Sequence, residues 1–160
     1  MRKLLIIIII PAMFIACNKG GNVPPGVTNV PLLTDLSVSS DEFHFMDTAG
    51  KVLVNFTIWD KDKDFGSEMR DTSVVVQDIR SGEVYRTLVL PMPEIPRDIL
   101  DKDYLQANVT IPLKSVLFTP RSDTLHTRER KDTLTLNIWV IDEAGHQSNI
   151  LNTDTFYISD

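Results

Sequence analysis

Residues 51–59 read KVLVNFTIW, and this stretch decides the fold. Large apolar side chains stand at every second position, at Val52, Val54, Phe56 and Ile58. Because successive side chains of a β-strand point to opposite faces, one face of this strand is wholly apolar and is expected to face a core. The stretch 132–141, DTLTLNIWVI, repeats the pattern with Leu134, Leu136, Ile138 and Val140. Period-two patterning of this kind predicts a β domain.

The rest of the domain divides into short runs with turn residues between them. The predicted strands are seven, at 32–39, 51–59, 72–80, 83–90, 107–113, 132–141 and 153–159. Ser81-Gly82 is a two-residue hairpin signal between the third and fourth runs. The segment 96–106 is the one exception, where Ile99, Leu100 and Leu105 are expected to make a single helical turn in a crossover loop. Seven short antiparallel strands favour a two-sheet sandwich over a closed barrel.

The segment 142–149, DEAGHQSN, adds a family likeness. Asp142, Ala144, Gly145 and Ser148 match the D-x-A-G-N-x-S turn that precedes the last strand of many bacterial immunoglobulin-like and fibronectin type III-like domains. The resemblance implies an all-β fold, a single antiparallel immunoglobulin-like sandwich. In that topology the loop after 51–59 and the loop after 132–141 project from the same end.

The N-terminus carries export signals. Arg2 and Lys3 precede the apolar run 4–15, which is shorter than the roughly 20 residues that span a bilayer and suits a signal peptide. The run ends at Ala16-Cys17, which resembles the lipobox of bacterial lipoproteins, where the cysteine is acylated and becomes the first mature residue. The alternative is an ordinary signal peptide cut near Ala16, but Cys17 is the one cysteine of the chain and stands where an anchor needs it.

The resemblance implies a lipid-anchored protein of a Gram-negative cell envelope. Asn18 follows the cysteine where Asp would indicate retention in the inner membrane, so we expect the outer membrane. No acidic run follows Cys17, which favours the periplasmic face over the cell surface. The predicted organisation is a signal peptide at 1–16, a Pro- and Gly-rich tether at 17–31 and the β domain at 32–160.

Charge and cysteine content limit the functions of the mature chain. Loss of Arg2 and Lys3 leaves 14 basic against 22 acidic side chains, a net charge of −8. Such a surface repels phosphate backbones, so nucleic acid is not an expected partner. With one cysteine the chain cannot form an internal disulfide.

The acidic segment 59–71, WDKDKDFGSEMRD, is the candidate metal loop. Its five carboxylates stand at positions one, three, five, nine and twelve from the first: Asp60, Asp62, Asp64, Glu68 and Asp71. This spacing is typical of loops that fold around Ca²⁺, which takes about six to eight oxygen ligands. The predicted topology adds Asp142 and Glu143 from the neighbouring loop to the same pole.

A solvated turn is the alternative interpretation of this segment. Asp is favoured in turns because its side chain caps nearby N–H groups. Lys61, Lys63 and Arg70 also reduce the charge of the loop from −5 to −2. Phe65 stands at position six, where calcium loops of this spacing turn on Gly.

No catalytic motif is present in the sequence. The chain has no G-x-S-x-G, phosphate loop or cysteine nucleophile, and its three histidines lack metal-ligand spacing. We therefore expect a non-catalytic structural or protein-binding module with an envelope protein as partner. The alternative is a carbohydrate-binding module, which would need Trp59 or Trp139 as an exposed aromatic platform.

Overall fold

The computed structural model describes residues 26–65, 73–92, 103–120 and 132–159. They form strands β1 (Leu32–Val38), β2 (Glu42–His44), β3 (Lys51–Asp60), β4 (Ser73–Arg80), β5 (Glu83–Pro91), β6 (Leu105–Lys114), β7 (Asp132–Ile141), β8 (Leu151–Asn152) and β9 (Phe156–Ser159), with a short 3₁₀ helix at Ser115–Leu117. No helix within these ranges has the length and hydropathy that a membrane crossing requires.

The strands make two sheets. One sheet has the order β1-β3-β6, and the larger has the order β2-β9-β7-β4-β5, with β8 paired to β7. Neighbours pair antiparallel except β2 and β9, which are parallel. The predicted all-β sandwich is confirmed, and its arrangement is compatible with an immunoglobulin-like domain.

The core lies between the sheets and follows the period-two pattern. The alternating apolar residues of β3 and β7 are buried, and they pack in one cluster with side chains of β4, β6 and β9. Phe43, Phe118 and Phe156 close one part of this cluster, with ring centroids 4.3 Å apart for Phe43 and Phe118 and 5.0 Å for Phe43 and Phe156. The turn at Ser81-Gly82 is also as predicted, because both residues have positive φ, 53° and 84°, as a type I′ hairpin requires.

The ends of the strands differ from prediction in two places. Leu105 belongs to β6, so the helical turn proposed for 96–106 is wrong at its end; residues 93–102 lie outside the described ranges. The last predicted strand, 153–159, begins later than expected, since β9 starts at Phe156, and it is preceded by the short strand β8 (Leu151–Asn152), which was not predicted. Between them, the Thr153 N–H donates to the carbonyl of Leu136 and the Leu136 N–H donates to Thr153 Oγ1, both near 3 Å.

Candidate functional site

The β3–β4 loop and the β7–β8 loop meet at one end of the sandwich, as the topology predicts. The main-chain N–H of Glu143 donates to the carbonyl of Asp64 at 3.0 Å. The N–H of Ala144 donates to Asp64 Oδ2, also at 3.0 Å. We call this end the acidic pole and define it by Asp60, Asp62, Asp64 and Asp142.

The chain also reaches the acidic pole from its N-terminal side. Leu32, the first residue of β1, lies opposite Trp59, one residue before Asp60. The N–H of Lys61 donates to the carbonyl of Thr28 at 3.1 Å, so residues ahead of β1 contact this loop.

Three carboxylates converge at the acidic pole. Oxygens from Asp60, Asp62 and Asp64 all lie within 4.8 Å of one another. Asp60 is the last residue of β3 and is fully buried, whereas Asp62 is exposed. The turn from Asp60 to Asp64 places Lys63 at a φ of 62°, a left-handed conformation that is uncommon for a residue with a Cβ. That turn brings Asp64 back beside Asp60.

The carboxylates of Asp60 and Asp64 are only half satisfied. Asp60 Oδ2 accepts the N–H of Lys63 at 2.7 Å, and Asp64 Oδ2 accepts the N–H of Ala144. Asp60 Oδ1 and Asp64 Oδ1 are buried and have no hydrogen-bond partner within the described part of the chain. Ionised carboxylates are acceptors only, so a neighbouring carboxylate cannot satisfy these oxygens unless a proton or a cation lies between them.

Burial and crowding shift the protonation of both groups. Burial raises the pKa of Asp60 to about 7, and the neighbouring carboxylate of Asp62 raises it as well. Burial also raises the pKa of Asp64, and the charge of Asp142 raises it further. The geometry therefore disfavours negative charge on two side chains that are ordinarily ionised at neutral pH.

Asp142 is used differently from its neighbours. Its Oδ1 accepts the main-chain N–H of His146 at 2.6 Å, and its Oδ2 lies 2.9 Å from His146 Nδ1. These contacts close the turn in which Gly145 has a φ of 85°. The hydrogen bond to Asp142 raises the pKa of His146, because the carboxylate favours the protonated ring.

The predicted site residues thus have different outcomes. Asp60, Asp62 and Asp64 are brought together, Asp142 and Glu143 lie in the adjoining loop, and Glu68, Asp71 and Cys17 lie outside the described residues.

The outer face of the larger sheet carries a second feature. Trp139, Val75 and Val89 lie directly opposite one another on β7, β4 and β5, so they share a face, and it is the face turned away from the buried Val76 and Val140. We call these three residues the outer stripe. Within the outer stripe, Val75 is buried at 5% exposure and Trp139 is half-buried, whereas Val89 is 64% exposed. Val84, opposite Ile79 in the same strand pairing, is 55% exposed. Strand β5 is the last strand in the order of its sheet.

The outer stripe could have been predicted from the sequence by the same alternation of inward and outward positions that predicted the core. The sequence neighbours of Val75 and Val89 face inward: Val74, Val76, Leu88 and Leu90. Val75 and Val89 therefore occupy outward positions of their strands. Apolar residues at outward positions are the signal.

The two tryptophans do not form an exposed platform. Trp59 is 5% exposed, and its indole Nε1 donates to Thr34 Oγ1 at 3.0 Å. Trp139 is half-buried beside Val75 in the outer stripe.

A cavity of about 150 Å³ lies at the β2–β9 edge, lined by Asp41, Glu42, Tyr157 and Ser159. Ser159 Oγ donates to Glu42 Oε1 and lies 3.0 Å from His44 Nδ1. Because the hydroxyl has one proton and Glu42 accepts it, His44 faces an oxygen that has no proton to give it. This is not the nucleophile and base pairing of a hydrolase.

The sequence comparisons add no family to this geometry. The chain matches no protein-family model and no curated protein sequence.

Proposed function

We propose that this protein is a non-catalytic, lipid-anchored component of the cell envelope whose β-sandwich binds a protein partner. The anchor is the acylated Cys17, and the segment after it tethers the domain to the outer membrane on its periplasmic face. This part of the proposal is supported by the signal-like run 4–15 and by the position of the one cysteine.

The binding surface of the proposal is the outer stripe together with the edge of β5. Its supporting observation is the exposure of Val84, Tyr85 and Val89, at 55%, 46% and 64%, on the last strand of the larger sheet. Natural sheets commonly protect an edge with charged residues or Pro, because its N–H and C=O groups pair readily with another chain. Large apolar side chains exposed on such a strand mark an interaction surface.

The chemistry of this edge selects the type of partner. An extended segment that pairs with β5 would gain main-chain hydrogen bonds, and its alternate apolar side chains would cover the exposed Val84 and Val89. A carbohydrate ligand has less support, since Trp59 is buried and Trp139 is half-buried beside Val75.

Photocrosslinking in cells tests the binding surface. A photoreactive amino acid replaces Val89 in the full-length protein, and the matched control replaces Val38, which is 37% exposed on β1 of the smaller sheet. We expect an adduct of one discrete mass at position 89, absent at position 38 and lost when Val84→Lys is added. Equal adducts at both positions, or none at position 89, would contradict the proposed surface.

Fractionation tests the anchor separately. Wild-type protein should remain with the outer membrane and carry a mass increase on Cys17, whereas Cys17→Ala should be released into the soluble envelope fraction. Membrane retention of the Cys17→Ala protein without acylation would contradict the proposed lipid anchor.

A further inference from the structure

We infer that the acidic pole is a calcium site built on Asp60, Asp62 and Asp64. The inference is independent of the partner-binding surface, which lies on the face of the larger sheet. Its geometric basis is the convergence of three carboxylates within 4.8 Å. Calcium–oxygen bonds of about 2.3–2.6 Å allow two ligands of one ion to stand roughly 4.6–5.2 Å apart at most.

A cluster of acidic residues alone does not indicate an ion, but two buried carboxylate oxygens without a hydrogen-bond partner among the described residues do. Asp60 is fully buried, and its Oδ1 and that of Asp64 are the buried side-chain N or O atoms that have no hydrogen-bond partner among the described residues. An unsatisfied buried charge is costly, and native proteins pair such groups or use them to coordinate metals. A cation between these oxygens would satisfy both.

The other oxygen of each carboxylate positions it for this role. Asp60 Oδ2 is held by the N–H of Lys63, and Asp64 Oδ2 is held by the N–H of Ala144. Each side chain is therefore fixed by one oxygen, and its second oxygen remains for a ligand. Asp62, exposed at the same pole, can reach the ion from the solvent side.

The donor set selects calcium among common ions. Carboxylate oxygens suit hard cations, whereas zinc in proteins is usually bound by Cys and His. Magnesium has bonds of about 2.0–2.1 Å and requires a near-ideal octahedron, which suits an irregular loop less well than the flexible coordination of calcium. Both carboxylate oxygens of Asp142 contact His146, so we assign Asp142 to holding the second loop rather than to the ion.

Through Asp64, an ion at this site would also hold the second loop in place. The main-chain carbonyl of Asp64 accepts the N–H of Glu143 and its carboxylate accepts the N–H of Ala144. An ion that fixes the carboxylate of Asp64 therefore also fixes the β7–β8 loop against the β3–β4 loop.

Calorimetry and luminescence on the full-length protein in detergent test the site. Calcium binding is measured by titration calorimetry, with magnesium as the competing ion. Terbium, which shares the oxygen preference of calcium, is followed by luminescence sensitised through Trp59, the residue next to Asp60. The variants are Asp60→Asn and Asp64→Asn, and the control is Asp154→Asn, an exposed carboxylate beyond the Thr153–Leu136 pairing.

We expect one calcium per wild-type chain by calorimetry. In the luminescence assay, calcium should displace bound terbium and an equal concentration of magnesium should not. Each pole variant should weaken binding by about tenfold or more, while Asp154→Asn stays within about twofold. Near-UV circular dichroism of the tryptophans verifies that each variant is folded. No binding to folded wild-type protein at about 10 mM calcium would overturn the inference, since extracellular calcium modules bind at roughly 0.1–1 mM. Unchanged affinity in both folded pole variants would overturn the ligand assignment in the same way.

Discussion

Two groups of buried carboxylates lie at opposite ends of β7, and they are satisfied in different ways. At the start of the strand, Asp132 shares a buried network with Asp78 and Arg80; just after its end, Asp142 adjoins Asp60 and Asp64 at the acidic pole. The first group contains its own cation. The second leaves two buried oxygens with no hydrogen-bond partner among the described residues.

The Arg80 network is closely paired. Arg80 donates from Nε and Nη2 to Asp78 and from Nη1 to Asp132, with distances of 2.7–3.2 Å. Nη1 also donates to the carbonyl of Thr119 at 2.8 Å, and the guanidinium lies 4.1 Å from the ring centroid of Tyr85. Burial alone would lower the pKa of Arg80, but the bonds and charges of Asp78 and Asp132 outweigh it and raise the pKa.

The contrast shows what the acidic pole lacks. Asp78 and Asp132 are buried and balanced by an arginine, whereas Asp60 is equally buried and neither it nor the half-buried Asp64 has an equivalent fork of donors among the described residues. An external cation is the simplest way to give the two ends the same balance.

Removing the internal cation should have the largest effect on stability. Arg80→Met leaves Asp78 and Asp132 buried without their partner, which typically costs about 3–5 kcal/mol of unfolding free energy. Urea unfolding measures it, with the exposed Lys51→Met as the control, expected within about 0.5 kcal/mol of wild type.

Compensating substitutions keep this prediction testable if Arg80→Met does not fold. Adding Asp78→Leu and Asp132→Leu removes the stranded charges and should restore folding, because apolar replacement of a buried ion network is often tolerated. A loss in Arg80→Met no larger than in Lys51→Met would mean that the network does not stabilise the fold.

Calcium should have a smaller effect, confined to the pole. The amides of Glu143 and Ala144 donate to Asp64, so a bound ion should slow their hydrogen exchange by about tenfold. The comparison amide is Thr133, which donates to Asp132 Oδ1 at 2.8 Å at the other end of β7 and should not change. Equal slowing of all three amides would indicate global stabilisation without a local link through Asp64.

The His146 contact should give the smallest effect, and it should depend on pH. Asp142, with weaker help from Asp64 and Asp62, raises the pKa of His146 above its unfolded value of about 6.5. The stabilisation is therefore full below that value and is lost as the pH rises through the folded pKa. In EDTA, His146→Gln should lower the melting temperature more at pH 5.5 than at pH 8.5. An equal decrease at both pH values would show that the charge of His146 does not contribute to stability.

The fold was predictable where burial on one face gave a period of two. Val52 to Ile58 and Leu134 to Val140 alternate without interruption, and Ser81-Gly82 has the residues that its turn requires. Strand β2 was not among the predicted strands, because three residues paired in parallel with β9 leave too short a pattern. Leu105 was misassigned because apolar spacing over a few residues fits a helical turn and a strand end equally well.

The site was predictable in residue type and only partly in geometry. The D-x-D-x-D spacing identified Asp60, Asp62 and Asp64, and the topology placed Asp142 near them. The sequence could not reveal which oxygens would be held by main-chain N–H groups, since that depends on the left-handed turn at Lys63 and on the second loop. The pairing of Arg80 with Asp132 joins residues 52 positions apart and has no local signal.

Two isosteric substitutions test the central claim most directly. Asp78→Asn and Asp60→Asn each remove one buried negative charge, and unfolding free energies are measured in EDTA at pH 8. Asp78→Asn should lose about 3 kcal/mol because Arg80 loses its main partner, whereas Asp60→Asn should be at least as stable as wild type. At ten times the calcium dissociation constant, wild type should gain about 1.4 kcal/mol and Asp60→Asn should gain little. A loss of stability in Asp60→Asn comparable to that in Asp78→Asn, with no calcium response in wild type, would show that the acidic pole is already balanced without an ion.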